Sequence, residues 1–117
     1  MGVTIPMRPA VGRKYGNKPT VVDGFRFDSK AEAKRWGELQ ILERAGIITE
    51  LKRQVSYELT VNDRKIGSYR ADFVYSDVER CVEVVEDVKG VRTPLYKWKR
   101  KHFAAQYGRE ITEVAAQ

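Results

Sequence analysis

Residues 81–90 read CVEVVEDVKG, and this stretch decides how the chain folds. Val82, Val84 and Val85 crowd β-branched side chains onto both sides of the chain. Such a run is typical of a strand that is buried on both faces inside a sheet. We therefore predict a central β-strand over Cys81–Lys89, ended by the glycine that follows it.

Two further strands precede this one. Alternating apolar residues predict a strand over Arg53–Leu59 and another over Ile66–Tyr75, with a turn near Asn62–Asp63 between them. Because alternate residues of a strand point to opposite faces, the second strand should present two different sets of side chains. We expect Ala71, Phe73 and Tyr75 on one face and Arg70, Asp72 and Val74 on the other.

Two helices flank the predicted strands. Ser29-Lys30-Ala31-Glu32 fits a capping box in which Ser29 is the N-cap, and it predicts a helix over 29–45 that ends before Gly46. Pro94 suits the first turn of a second helix over 94–106. The residues of that helix that we expect in the core are Leu95, Trp98, Phe103 and Ala104.

Together these elements predict an α/β fold of order α-β-β-β-α-β, with a mixed central sheet flanked by helices. The last strand is predicted over Arg109–Val114, and a short hairpin around Asp23–Gly24 precedes the first helix. Residues 1–20 are rich in proline and glycine and lack periodicity. We expect them to form a flexible basic arm in front of a single domain over 21–117.

Composition limits the possible classes of protein. The chain has 117 residues, of which only one is cysteine, so an intramolecular disulfide and a Cys-rich zinc site are excluded. We expect that residue, Cys81, to be buried as a small apolar side chain. No apolar run approaches the roughly 18–20 residues that span a bilayer, and the N-terminus lacks the apolar core of a signal peptide. We expect a cytoplasmic protein with no membrane partner.

The charge is positive and unevenly distributed. Lys and Arg number 22 against 16 Asp and Glu, which gives a net charge of +6. Residues 1–30 hold six basic and two acidic side chains, residues 91–109 hold six basic and no acidic ones, and the acids concentrate between 32 and 87. This excess is compatible with nucleic acid, with an acidic membrane surface or with ordinary solvated charge.

Three acids stand out by position: Glu32 in the first helical turn, Asp72 within the second strand and Asp87 near the end of the central strand. If those two strands are neighbours, Asp72 can lie beside Asp87. Two such charges ~5 Å apart repel by about 3 kcal/mol at an effective dielectric near 20. A divalent cation would remove this repulsion, and oxygen ligands favour Mg²⁺.

The strand periodicity also groups the residues around Asp87. Lys89 shares a strand face with Asp87, whereas Glu86 points to the other face. Gln54, on the first strand, is close enough in the predicted order to hydrogen-bond near the site.

Each of these residues also has a simpler interpretation. Glu32 can serve only as the capping-box carboxylate, and Asp72 can pair with Arg70. Asp87 and Lys89 can form an ordinary ion pair at a strand end. The order helix Glu, strand Asp, strand Asp-X-Lys is more specific than any one of them.

That order resembles the PD-(D/E)XK nuclease superfamily. Asp72 matches the motif Asp, although Ala71 stands where Pro is usual, and Asp87-Val88-Lys89 matches (D/E)-X-K. Ser29-Lys30-Ala31-Glu32 is similar to the Ser-x-x-Glu of phage junction-resolving endonuclease I and of transposase-type nuclease subunits. From Lys14 to the final strand, the chain looks like a small phage and prophage family.

The resemblance implies a restriction-endonuclease-like core and metal-dependent cleavage of DNA in a bacterial host cell. The implied cofactor is Mg²⁺, for which Mn²⁺ can substitute, and Lys89 would be the catalytic lysine. Glu32, Asp72 and Asp87 complete the implied catalytic set. The implied metal ligands are Asp72, Asp87 and the Val88 carbonyl, with Glu32 bound directly or through water.

Basic residues at both ends of the chain are candidates for contacts with DNA phosphates. They are Arg13, Lys14 and Lys18 in the arm, and Arg92, Lys97, Arg100 and Lys101 around the second helix. Branched DNA such as a Holliday junction is the favoured substrate, and its two symmetric cuts would need a homodimer. The alternatives are a nicking or restriction-like nuclease, or a non-catalytic DNA-binding module that keeps the fold.

Overall fold

A computed structural model describes residues 20–22 and 24–116. The predicted arm, with Arg13, Lys14 and Lys18, lies outside the described residues apart from Thr20, which begins the first strand. The elements are β1 (Thr20–Val22), β2 (Phe25–Phe27), α1 (Lys30–Arg44), β3 (Ile48–Val61), β4 (Arg64–Asp77), β5 (Val82–Lys89), α2 (Pro94–Tyr107) and β6 (Thr112–Ala115).

The main sheet is mixed and has the strand order β3-β4-β5-β6. The pairs β3–β4 and β4–β5 are antiparallel, whereas β6 runs parallel to β5 after the crossover through α2. The prediction that β5 is an internal strand is confirmed, because it lies between β4 and β6. An α/β fold with a mixed four-stranded sheet flanked by helices is likewise confirmed, in the predicted order α-β-β-β-α-β.

Each helix covers its own apolar cluster. Trp36 and Leu39 of α1 pack with Phe73 of β4, and Trp36 stacks on Phe73 at 6.0 Å between ring centroids. Phe103 of α2 packs with a second cluster that includes Val85 of β5. The neighbouring side chains on β5 therefore enter different clusters, Val84 the first and Val85 the second. The two helices cover opposite faces of the sheet.

The predicted faces of β4 are partly wrong. Phe73 and Tyr75 belong to the α1 cluster, but Ala71 belongs to the α2 cluster. The same change occurs in β3, where Arg53 lies over the Phe27 ring on the α1 side and Val55 packs on the α2 side. Both strands therefore change the face that they present at one level of the sheet, and simple alternation fails there.

The core side of α2 also differs from the prediction. Tyr96 and Phe103 are the buried residues of this helix, whereas Leu95 is 60% exposed and Trp98 is 45% exposed. At 100° per residue, Trp98 projects about 200° around the helix from Tyr96. Once Tyr96 and Phe103 form the inner line of the helix, Trp98 must face outward.

Cys81 is a further correction. Its side chain is exposed, because the residue lies in the turn before β5 in a left-handed conformation (φ 56°). Neither helix in the described ranges combines the length and the apolar character needed to span a membrane.

Candidate functional site

The candidate site lies where β4 and β5 separate. Their backbone pairing ends at Phe73 and Glu86. Beyond that point the Val88 N–H donates to the Asp72 Oδ2 at 2.8 Å. The Asp72 side chain thus accepts the hydrogen bond that a backbone carbonyl of β4 would accept in a regular sheet. The separation opens a cleft of about 310 Å³. Its lining residues are Asp28, Gln54, Tyr69, Arg70, Asp72, Asp87, Lys89, Thr93, Leu95, Tyr96 and Lys99.

Asp72 and Asp87 meet in this cleft, as the strand order predicts. Burial is the main cause that raises the pKa of Asp72, to about 8, followed by the charges of Asp87 and Glu32. The hydrogen bond from Val88 opposes this shift only in part. The site therefore holds more negative charge than its protein surroundings compensate, which is the electrostatic condition that a cation relieves.

Asp87 is only 4% exposed, and both of its oxygen atoms are engaged. The Tyr69 hydroxyl donates to Oδ2 at 2.6 Å, and the Lys89 ammonium lies 3.3 Å from Oδ1. Lys89 also lies 3.8 Å from the centroid of the Tyr96 ring, which gives a cation–π contact. The prediction that Asp87 and Lys89 share a face is confirmed, and the burial of Asp87 distinguishes this pair from an ordinary surface ion pair.

Glu32 lies in the first turn of α1, and its carboxylate bonds to Asp28 and Gln54 rather than to the N–H of the N-cap Ser29. The Ser29 hydroxyl accepts from the Glu32 N–H at 3.2 Å, which confirms Ser29 as the N-cap. Glu32 Oε1 accepts from the Asp28 N–H at 3.4 Å, and Oε2 accepts from Gln54 Nε2 at 2.8 Å. Burial raises the pKa of Glu32, since its side chain is covered. Glu32 thus reaches the cleft through Gln54, and it lies close enough to Asp72 for its charge to raise the pKa of that residue.

Gln54 has an unusual backbone conformation, left-handed with φ 55° within β3. The register Arg53–Phe73 and Val55–Ala71 places it directly opposite Asp72. A left-handed residue that is not glycine is strained, and such strain is common at functional sites. The change of face in β3 and β4 occurs at these two opposed residues, so the irregularity brings Gln54 and Asp72 into the cleft.

Glu86, the other acid beside the motif, is separated from the cleft. It is fully buried on the α1 side, where Arg35 Nε and Nη2 donate to its two oxygens at 2.7 and 2.8 Å. The Tyr75 hydroxyl donates to it as well, at 2.5 Å. The prediction that Glu86 points away from Asp87 is confirmed, and its charge is already balanced by Arg35.

The donor set fits a hard divalent cation. Within residues 20–22 and 24–116, no three Asp, Glu, His or Cys side chains are arranged as a metal centre. Mg²⁺, however, is commonly held by only one or two carboxylates together with waters and substrate phosphates. Asp72 and Asp87 supply two carboxylates with excess negative charge, and the Val88 carbonyl is adjacent in sequence. Glu32, held by Gln54 and the Asp28 N–H, suits a contact through water.

The basic residues around α2 fall into two groups. Arg92 and Arg100 both form ion pairs with Glu113 of β6, at 2.7 and 3.0 Å. In the described part of the chain, the lysines of α2 form no ion pair; they are Lys97, Lys99 and Lys101. The lysines therefore present the uncompensated positive charge. Contact with DNA stays a prediction for Arg92, Arg100, Lys97 and Lys101.

The sequence patterns did not identify Tyr69, Tyr96 or Arg70 as site residues. Tyr69 lies three residues before Asp72, but strand alternation alone places it away from Asp87. Only the change of face at Asp72 allows its hydroxyl to reach that carboxylate. Tyr96 is recognisable from sequence as an aromatic residue near the motif lysine, and no pattern specifies their contact.

One protein-family model matches most of the chain. The family model described as "Protein of unknown function (DUF1064)" matches residues 12–115. The chain belongs to the DUF1064 family. The matched range contains the whole cleft of this DUF1064 protein, including Asp72, Asp87 and Lys89, and it also contains Glu32. No curated protein and no solved structure matches the chain.

Proposed function

We propose that this DUF1064 protein is a metal-dependent DNA endonuclease that hydrolyses phosphodiester bonds. One observation carries the proposal: burial and the charge of Asp87 oppose ionisation of Asp72 in a cleft whose wall also holds Lys89. Bringing like charges together under partial burial costs stability, so a structural role alone does not explain the arrangement. A cation and an anionic substrate would complete it.

The roles of the residues follow from their chemistry. Asp72, Asp87 and the Val88 carbonyl would hold Mg²⁺ or Mn²⁺, with Glu32 bound directly or through water. The bound cation supplies Lewis-acid polarisation of the phosphodiester and a lowered pKa for coordinated water. Lys89 lies beside Asp87 with its ammonium in the cleft, where it can orient the attacking water and stabilise charge that develops on the phosphate.

The fold class supports this assignment by resemblance. The order α-β-β-β-α-β with a mixed sheet is the core arrangement of PD-(D/E)XK nucleases, and here the helix Glu, the β4 Asp and the β5 Asp-Val-Lys converge around one cleft. The proposal therefore includes a restriction-endonuclease-like topology for this chain.

Branched DNA, of the Holliday junction type, is the substrate that we propose, as in phage recombination. Two symmetric cuts in a four-way junction require two active sites related by symmetry, hence a homodimer. The resemblance to junction-resolving endonuclease I favours this substrate. A nicking or restriction-like nuclease, or a DNA-binding module without catalysis, are the alternatives that the experiment must separate.

The test is cleavage of a four-way junction, a flap and a linear duplex of the same sequence in excess Mg²⁺. We expect wild-type protein to cut the junction, and Asp72→Asn and Lys89→Ala to lose at least about a hundredfold in rate. Glu110→Gln, an exposed acid outside the cleft, is the matched control and should cut normally.

Each outcome favours one hypothesis. Equal cutting of all three DNAs would retain the nuclease and remove the junction preference. Binding of DNA without cutting in either Mg²⁺ or Mn²⁺ would favour the binding module. Normal cutting by both cleft variants would refute the assigned site.

A further inference from the structure

An exposed apolar stripe on α2 begins at the cleft. Leu95 lines the cleft and Trp98 follows it at helical spacing, so that the two side chains lie on one side of the helix. Leu95 is 60% exposed and Trp98 is 45% exposed. A large aromatic surface left in water next to a candidate active site calls for a ligand with an apolar face.

The indole of Trp98 contacts the ring of His102 on the same helix. The His102 ring lies 5.3 Å from it, centroid to centroid, one helical turn farther along α2. His102 is itself fixed to the sheet, because its Nε2 lies 2.9 Å from the Thr60 carbonyl oxygen of β3. A contact of this kind restricts the indole while leaving much of its surface open, which lowers the entropy cost of stacking on it.

The charge around Trp98 selects the class of ligand. Lys97 and Lys99 are its neighbours in sequence and Lys101 follows one turn later, while residues 91–109 contain no acid. Lys99 also lines the cleft. An aromatic side chain among unpaired lysines is the combination that binds single-stranded nucleic acid, since each base offers a flat face and each nucleotide a phosphate.

We propose that Trp98 stacks on an unpaired base of the DNA strand that enters the cleft. The proposal rests on the proposed function for the placement of DNA at this cleft, and it makes that function more specific. In an intact duplex the base faces are covered by their neighbours, so Trp98 has nothing to stack on. Among branched DNAs, those with an unpaired base close to the scissile phosphate should therefore bind more tightly than fully paired ones.

The experiment measures binding without cleavage, on the full chain carrying Asp72→Asn and in EDTA. The probes are a single-stranded 12-mer, a blunt duplex of the same sequence, and a duplex with one unpaired base, each of order ten base steps long. Trp36 is the only other tryptophan and is buried, so quenching of indole fluorescence reports mainly on Trp98. Anisotropy of labelled DNA gives the affinities.

We expect the single strand and the unpaired-base duplex to quench the fluorescence, and the blunt duplex to leave it nearly unchanged. Trp98→Ala should weaken binding of the two quenching DNAs about tenfold and binding of the blunt duplex less than about twofold. Trp98→Phe should restore part of the loss. Ile41→Ala removes another exposed apolar side chain, 59% exposed on α1, and should change none of these affinities.

Several results would overturn the proposal. One is equal loss of affinity for all three DNAs in Trp98→Ala, and another is no loss at all. A dimer in sedimentation that dissociates in Trp98→Ala would assign the stripe to a second copy of the chain instead. Stacking without any cleavage by wild-type protein would refute the nuclease and leave this inference standing, whereas cleavage without quenching would refute this inference alone.

Discussion

Tyr69 illustrates how one hydroxyl group prepares the candidate site. It donates to Asp87 Oδ2 at 2.6 Å from a buried position, while Lys89 faces Oδ1. Burial, followed by the charge of Asp87, raises the pKa of Tyr69, so its proton stays on the oxygen and remains available as a donor. The hydroxyl thus fixes the orientation of a carboxylate that would hold the cation.

Removal of this hydroxyl should weaken metal binding. We expect Tyr69→Phe to reduce Mn²⁺ affinity about tenfold, as loss of a group that orients a ligand typically does. The fold should lose about 1–2 kcal/mol, because a buried carboxylate oxygen is left without its donor. Calorimetric titration with Mn²⁺ and urea unfolding measure the two effects.

Tyr57→Phe is the matched control for this substitution. Tyr57 packs in the same aromatic cluster, and its ring centroid lies 6.5 Å from that of Tyr69, but its hydroxyl does not bond to Asp87. It should leave Mn²⁺ affinity unchanged. If Tyr69→Phe binds Mn²⁺ as tightly as Tyr57→Phe does, Tyr69 has no positioning role.

Sequence patterns could identify the acids of the cleft but not their partners. The i, i+2 spacing places Asp87 and Lys89 on one strand face, and the Ser-x-x-Glu motif identifies Glu32 in the first turn of a helix. The contacts of Tyr69 and Gln54 depend on the left-handed backbone at Gln54 and on the change of face at Asp72. No residue type at these positions marks such an irregularity, so periodicity could not reveal it.

At the scale of elements, ends set by local chemistry were predicted well. Helix α1 begins after the predicted cap Ser29, and α2 begins at Pro94, because both signals act within one turn. The start of β3 was missed: it begins at Ile48 rather than at Arg53. A bulge near Glu50, with φ 56°, breaks the alternation there and hides the first part of the strand.

One carboxylate of β6 bonds to three side chains in and just before α2. Glu113 accepts from Arg92, from the Tyr96 hydroxyl at 2.8 Å and from Arg100. The Arg92 hydrogen bond is the largest cause that lowers the pKa of Glu113, to about 2. A lowered folded-state pKa contributes stability above the ordinary value of 4.5, and that contribution is lost as the pH falls towards 2.

We therefore expect Glu113→Gln to unfold at lower urea concentration than wild type at pH 7. The difference should shrink as the pH falls from about 5 to about 2, since wild-type Glu113 then becomes neutral as well. Glu110→Gln, exposed and without an ion pair, is the control and should follow wild type throughout. A difference that is independent of pH would show that the charge of Glu113 does not hold α2 in place.

Over the whole molecule, the net charge of +6 is the sum of separated regions. Carboxylates gather in the cleft, whereas the lysines of α2 stand free beside it. Arg92 and Arg100 share the single carboxylate of Glu113 and so keep part of their positive charge. Composition alone could not distinguish this arrangement from evenly solvated charge. The basic and acidic regions become distinct only because α2 packs beside the cleft between β4 and β5.

The repulsion within the cleft should couple cation binding to the stability of the whole fold. A cation that binds only the folded state stabilises it by about 1.4 kcal/mol at ten times its dissociation constant. For a domain of this size we expect Mg²⁺ or Mn²⁺ to raise the melting temperature by about 5 °C. Without cation at pH 7, Asp72→Asn should melt above wild type, because the raised pKa of Asp72, about 8 against the ordinary 3.8, costs the fold stability above pH 3.8. The variant should no longer respond to the cation.

Asp63→Asn, in the exposed turn between β3 and β4, is the matched control and should respond to Mg²⁺ as wild type does. Sodium chloride at equal ionic strength separates specific binding from screening, since screening acts on every charge of the surface. An equal rise in wild type and in Asp72→Asn would place the cation elsewhere. A variant that gains stability while losing both the metal response and cleavage would identify the cleft as a site where the fold gives up stability to hold a cation.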